Sequence, residues 1–270
     1  MKSVLLHIQD DAGFEARLQT ALDIVRASEG HLTCLYVTPV NAYVAFDNFG
    51  GVFVMNDVLK QLEENKALLQ ARVEQRLKVE DISWDYVDST ADPAQALVSR
   101  STLSDLIIMS HPVGDKPQGI AHALVGDVVM GASTPVLLVP DTAKAFDATG
   151  TAVVAWNGSF EAGHALRAAL PLLASAGNVH IVSVSEGRDH AFPSLAASEY
   201  LARHGIVSEL HERRGDSGEV GTLLIETAKQ LKAQYLVMGA YGHSRAREYL
   251  FGGVTRNLLK DSPIPLLLAR

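Results

Sequence analysis

The sequence predicts an α/β fold built as two doubly wound parallel-sheet domains in tandem. Three observations carry that expectation. Segments that read as strands, such as residues 104–109 (Ser-Asp-Leu-Ile-Ile-Met) and 134–139 (Thr-Pro-Val-Leu-Leu-Val), are continuous apolar runs and not polar–apolar alternations, the pattern of strands covered on both faces. These runs alternate with helical periodicities, the order of a parallel sheet joined by crossovers. The chain can also be laid over itself with a break at about residues 140 to 150, so that the same series of elements occurs twice.

Element by element, residues 3–8 pair with 152–156 as first strands, each followed by a polar turn, Gln9-Asp10-Asp11 or Asn157-Gly158-Ser159. Helices over 14–28 and 159–174 follow, with apolar residues at three-to-four spacing, and end before Gly30 and Gly177, which suit helix C′ positions. Strands 32–37 and 179–184 come next. A long charged helix over 57–78 in the first half answers a shorter one over 194–203 in the second, and each leads to a strand, 82–87 or 207–210. Asp92-Pro93 starts a further helix, proline sitting where no N–H is needed, and Asp216-Ser217 does so in the second half. Strands 104–109 and 134–139 close the first half as 233–238 and 264–269 close the second. The expected domains are residues 1–140 and 151–270, with a linker rich in Asp, Ala and Thr between them.

Composition narrows the class. At 270 residues, 47% hydrophobic and 20% charged, the chain reads as a folded soluble protein, and it holds no run of about eighteen apolar residues to span a membrane. The start, Met1-Lys2-Ser3-Val4-Leu5-Leu6, lacks the pattern of an export signal. A single cysteine, Cys34, excludes internal disulfides and fits a reducing cytoplasm. A net charge of −8 argues against an extended nucleic-acid surface.

The most informative stretch lies near the carboxy terminus. An apolar run ending in Met238-Gly239 leads to Gly242-His243, and after nine residues Gly252-Gly253-Val254-Thr255 opens a helix. Glycines at a strand end let the backbone turn and approach a ligand without a Cβ clash. Free N–H groups at the following helix start, with the helix dipole behind them, favour an anion such as phosphate, and Thr255 adds a hydroxyl. In such sheets ligands bind beyond the carboxyl ends of the strands at the switch in strand order, which brings Trp156 and Asn157 to the same place. Trp156 is either core packing or a wall beside a base, and His243 either meets phosphate or faces solvent. Arg245, Arg247 and Arg256 flank the loop as surface charge or as a partner for a terminal phosphate.

With this order of elements, the Gly239-x2-Gly242-x9-Gly252 loop and the terminal Pro-Leu-Leu-Leu strand, the chain resembles the universal stress proteins in their tandem form. The resemblance implies an adenine nucleotide alpha hydrolase-like fold. It also implies ATP, with or without magnesium, held in the second domain by Gly239, Gly242 and Gly252. Two departures stand out: Gly253 replaces the family's Ser or Thr, and Asn157 replaces a common Asp. Gly253 still offers an N–H, and the lost hydroxyl contact is worth about 1 kcal/mol. In the first half the equivalent loop reads Met109-Ser110-His111-Pro112-Val113-Gly114, with Ser110 and Val113 on the glycine positions, so no ATP is expected there and His111 reads as a loop histidine. Residues 41–53, with Tyr43, Phe46, Phe49 and Phe53, have no counterpart in the second half and read as a lid, an interdomain contact or an apolar ligand site.

Neither a Gly-x4-Gly-Lys P-loop, a Gly-x-Gly-x2-Gly turn after a first strand, a His-Glu-x2-His pair nor a Gly-x-Ser-x-Gly elbow occurs. No general base is assignable, so the expected activity is binding, with at most slow ATP hydrolysis. The alternative expectation is a nucleotide-free scaffold whose terminal strands 135–139 and 265–269 pair edge to edge, making an intramolecular pseudo-dimer, with homodimerisation of whole chains left open.

Overall fold

Continuous apolar runs in this sequence become sheet strands that are buried from both sides. The computed structural model describes residues 1–39, 45–46, 52–53, 56–111, 120–185, 192–216, 218–240 and 253–270. The first half contains β1 (Ser3–Ile8), α1 (Phe14–Ser28), β2 (His31–Pro39), β3 (Ala45–Phe46), β4 (Val52–Phe53), α2 (Asn56–Leu77), β5 (Ser83–Ala91), α3 (Pro93–Arg100), β6 (Leu106–His111), α4 (Ile120–Gly131) and β7 (Val136–Pro140). The second contains β8 (Thr151–Trp156), α5 (Phe160–Leu173), β9 (Asn178–Ser185), α6 (Ser194–Arg203), β10 (Ser208–Arg214), α7 (Val220–Gln230), β11 (Tyr235–Gly239), α8 (Gly253–Asp261) and β12 (Leu266–Ala269). No helix among the described residues is long and apolar enough to cross a membrane.

Ten of the strands form one sheet in the order β10-β9-β8-β11-β12-β7-β6-β1-β2-β5. Side chains alternate between its faces: Val4, Leu6 and Ile8 enter one core with α1, α2, α5 and α6, and Leu5 enters the other with α3, α4, α7 and α8. Both cores run through both halves. β3 and β4 form a separate antiparallel pair within residues 41–53, and the remainder of that segment, expected as a lid or contact, lies outside the described residues.

Local chemistry explains most element ends. Asp92 caps α3, its side chain accepting from the Gln95 N–H at 2.9 Å with Pro93 behind it. Three expectations need correction. The left-handed residue after α1 is Glu29 (φ 47°), not Gly30, and after α5 the chain leaves through Ala174 in a right-handed conformation. Gly30 and Gly177 are required by close approach instead: a Cβ would come within 2.8 Å of the Lys2 and Thr149 carbonyl oxygens respectively. Helix α7 begins at Val220 and not at Asp216, whose carbonyl accepts from the Glu219 N–H at 2.8 Å in a turn that precedes the helix, and Ser217 lies outside the described residues. The linker is also more tightly held than its composition suggests. The Phe146 N–H donates to Asp23 of α1 at 3.0 Å, while its ring packs 5.4 Å from that of Tyr235 in β11.

The halves meet at one seam. β7 and β12 pair antiparallel, Leu266 against Leu138, Leu267 against Leu137 and Leu268 against Val136, and every other pairing in the ten-stranded sheet is parallel. These six side chains are no more than 1% exposed. The terminal strands therefore protect each other's edges.

Because both cores cross the seam, the two halves should unfold together. Trp84 and Trp156 lie in different halves, so single-tryptophan variants (W84F, W156F) report each half separately. Their urea transitions are expected to coincide, and Leu137→Ala should shift both by about 2–5 kcal/mol. Two separated transitions would show that the seam does not couple the halves.

Candidate functional site

Strand order reverses between β8 and β11 in the second half and between β1 and β6 in the first, so each half has a crevice at the carboxyl ends of those strands. At the end of β8 the chain turns through Asn157 and Gly158, the latter at φ 69°. The Asn157 side-chain oxygen accepts from the Ser159 N–H at 3.2 Å, and the Ser159 hydroxyl accepts from the Ala162 N–H at 3.1 Å, capping α5. Asn157 is exposed, so its amide nitrogen is free to face a ligand. Trp156 is 7% exposed, and its indole N–H donates to the Phe192 carbonyl at 3.0 Å, which assigns its ring to the core beside the crevice.

At the end of β11, Met238 is buried in the sheet core. Gly239 is needed by close approach: a Cβ there would lie 2.5 Å from both the Ala162 nitrogen and the Glu161 carbonyl carbon, so the first turn of α5 rests directly on it. Helix α8 starts at Gly253, as the paired glycines predict, with Val254 half-buried and Thr255 buried. As a crossover helix after β11 it presents its first N–H groups at the crevice end of the sheet. Among the described residues, a Cβ on Gly253 would meet nothing within 4 Å. Gly242, His243, Gly252, Arg245 and Arg247 lie outside the described residues, as does the Arg256 side chain.

The first half builds the same place differently. Arg17, on the first turn of α1, has its side chain only 1% exposed and fills the crevice. Its guanidinium donates to both Asp11 carboxylate oxygens at 2.8 and 2.9 Å, to the Ser110 hydroxyl at the end of β6, and to the Gln9 carbonyl at 2.8 Å. Burial pulls the Arg17 group below its ordinary range, and the Asp11 charge opposes that shift. The crevice thus carries its own cation, paired to the turn after β1.

Aligning the helix starts shows how that difference is encoded. Phe14-Glu15-Ala16-Arg17 matches Phe160-Glu161-Ala162-Gly163, and Met109-Ser110 matches Met238-Gly239. The two residues that fill one crevice, Arg17 and Ser110, are both glycine in the other. Among the described residues, a Cβ on Gly163 would meet nothing within 4 Å. Reading the glycine loop alone misses Arg17 and Gly163, although carrying the self-overlay into the first turn of each helix exposes them. His111 is corrected as well: it is the last residue of β6 and 2% exposed, not a loop histidine, while residues 112–119 lie outside the described residues.

Residues 149–270 match the model of the universal stress protein family. A universal stress protein from Synechocystis is 27% identical, with the match covering 100% of each chain. The crystal structure of a universal stress protein from Archaeoglobus fulgidus covers 99% of this chain and 98% of its own, at 17% identity and a TM-score of 0.77, which shows a shared fold over the whole length.

His7 on β1 gives this region a measurable signature. Burial, with the Arg17 charge adding to it, lowers its pKa from 6.5 to about 3. Folded His7 is neutral where the unfolded histidine is protonated, so stability is full above about 6.5 and is lost as pH falls toward about 3, by up to about 1.4 kcal/mol per pH unit. Urea titrations at pH 7, 6, 5 and 4 should show a slope that is shallower by close to one proton in His7→Gln. Parallel slopes for the two proteins would mean that His7 is protonated in the fold.

Proposed function

We propose, from the match of residues 149–270 to the universal stress protein family, that the second half of the chain binds ATP or a related adenine nucleotide in a stress-response role. The single observation that carries this reading is the pair Gly163 and Gly239 where the other half has Arg17 and Ser110. One crevice is closed by an internal cation; the other is free of side chains at both equivalent positions. Gly239 lets the first turn of α5 rest on the strand end beside the ligand, the first N–H groups of α8 at Gly253, Val254 and Thr255 take phosphate, and Asn157 faces the base or ribose. Gly242, His243 and Gly252 complete the loop in this reading, and magnesium accompanies the phosphates. The protein then acts by binding and release, and not as an enzyme. Residues 1–140, with their crevice filled, supply architecture or a regulatory surface.

The β7–β12 seam favours a second reading, a scaffold that acts through its paired halves without nucleotide. The two part on one measurement. Mass spectrometry of whatever is released on denaturing freshly purified protein should find an adenine nucleotide. Isothermal titration of stripped protein with ATP should then give one site per chain and not two, with Gly242→Val weakening binding by more than roughly tenfold. No released nucleotide and equal heats for both proteins would leave the scaffold reading standing.

A further inference from the structure

At the far end of the sheet from the crevice, the strands β9 and β10 bring three metal-ligating side chains together. His180 is the third residue of β9, and Glu209 and His211 are the second and fourth of β10, so the cluster sits toward the strand starts. Register places Glu209 opposite His180 in a parallel pair, and His211, two residues on, projects from the same face as Glu209. His180 Nδ1 stands 3.0 Å from His211 Nε2, Glu209 Oε2 stands 3.5 Å from His180 Nδ1, and Glu209 Oε1 stands 3.7 Å from His211 Nε2.

The two imidazole nitrogens are within hydrogen-bond distance of each other, and the carboxylate stands farther off. The carboxylate is too far from either ring for a good hydrogen bond, whose heavy atoms lie about 2.7–3.2 Å apart. Ligand atoms sharing a tetrahedral zinc ion, with bonds of about 2.0–2.2 Å, stand roughly 3.3 Å from one another, close to all three separations. The two imidazoles have only 13% and 15% of their side-chain surface exposed, while Glu209 has 68%, which leaves the outer side of the cluster open to water. Burial lowers the His180 pKa, with the neighbouring His211 adding to the shift and Glu209 opposing it.

From this geometry we infer that His180, Glu209 and His211 form a three-ligand site for a divalent transition-metal ion, zinc foremost, with water in the fourth position. Two imidazoles and one carboxylate form an open N2O set of the kind that binds zinc with an exchangeable position. β10 is the edge strand on that side of the sheet, so an ion shared by β9 and β10 clips the edge in place. The site is separate from the crevice and needs no nucleotide, so its test is independent of the function proposed above.

The test uses the full chain, free of any affinity tag and stripped with a chelator, titrated with Zn²⁺ against a chromophoric competitor. One equivalent should bind, with an accompanying rise in Tm, and Co²⁺ should give the visible bands of a tetrahedral site. H180A and H211A should each weaken zinc binding roughly a hundredfold. H31A, which removes a histidine beside Asp85 and Ser83 on the opposite edge, should change nothing. H211Q, checked by circular dichroism, separates ligand loss from misfolding and should behave as H211A. Failure of the wild-type chain to take up one equivalent overturns the inference, and so does wild-type affinity in a folded H180A/H211A double variant.

Discussion

A parallel sheet must be covered on both faces and must end somewhere, and in this chain the second requirement is met by a single antiparallel contact. β7 and β12 are short, wholly apolar and buried, so neither could remain an exposed edge in water. Pairing them turns two five-stranded units into one ten-stranded sheet and lets each hydrophobic core continue from one half into the other. The outer strands are of a different character. β10 carries Glu209, Glu212, Arg213 and Arg214, and β5 carries Asp85 and Asp88, charges of the kind that discourage edge-to-edge strand pairing.

Within that frame the halves diverge at equivalent points of one topology. A buried guanidinium is tolerated only with its charge paired and most of its donors used, and Asp11, Ser110 and the Gln9 carbonyl meet that demand in the first half. The Asp11 carboxylate also accepts from the Gly13 N–H at 2.9 Å, which binds the turn to the start of α1. Glycine at the matching positions of the second half, Gly163 and Gly239, supplies neither that donor nor that acceptor. The two halves thus differ at two equivalent residues of the same crevice, arginine and serine in one and glycine in the other.

Much of this was legible in the sequence because it rests on local patterns. Continuous apolar runs located the strands, three-to-four spacing located α1 over Phe14–Ser28, and Asp92-Pro93 located the start of α3. The pairing of the terminal strands followed from their apolar character. What escaped depends on distance along the chain. Arg17 meets Ser110 across 93 positions, and only the overlay of the two halves, not a local motif, marks either residue. The three residues of the His180, Glu209 and His211 cluster are brought together by strand register, which no motif spacing records. Gly30 and Gly177 were located correctly but for the wrong reason, since the crowding carbonyls at Lys2 and Thr149 belong to segments far away in sequence.

The anchored linker has one more consequence. A seam made by two like strands can form within one chain or between two, and the choice depends on how closely the connecting segment holds the partners. Residues 141–150 are short, and Phe146 ties them to Asp23 on one side and Tyr235 on the other. This keeps the effective concentration of one half around the other high, on the order of millimolar for a short tether. Exchange of halves between neighbouring molecules requires prying Phe146 from both attachments at once, so the covalent join acts as a lock against domain swapping as well as a bridge.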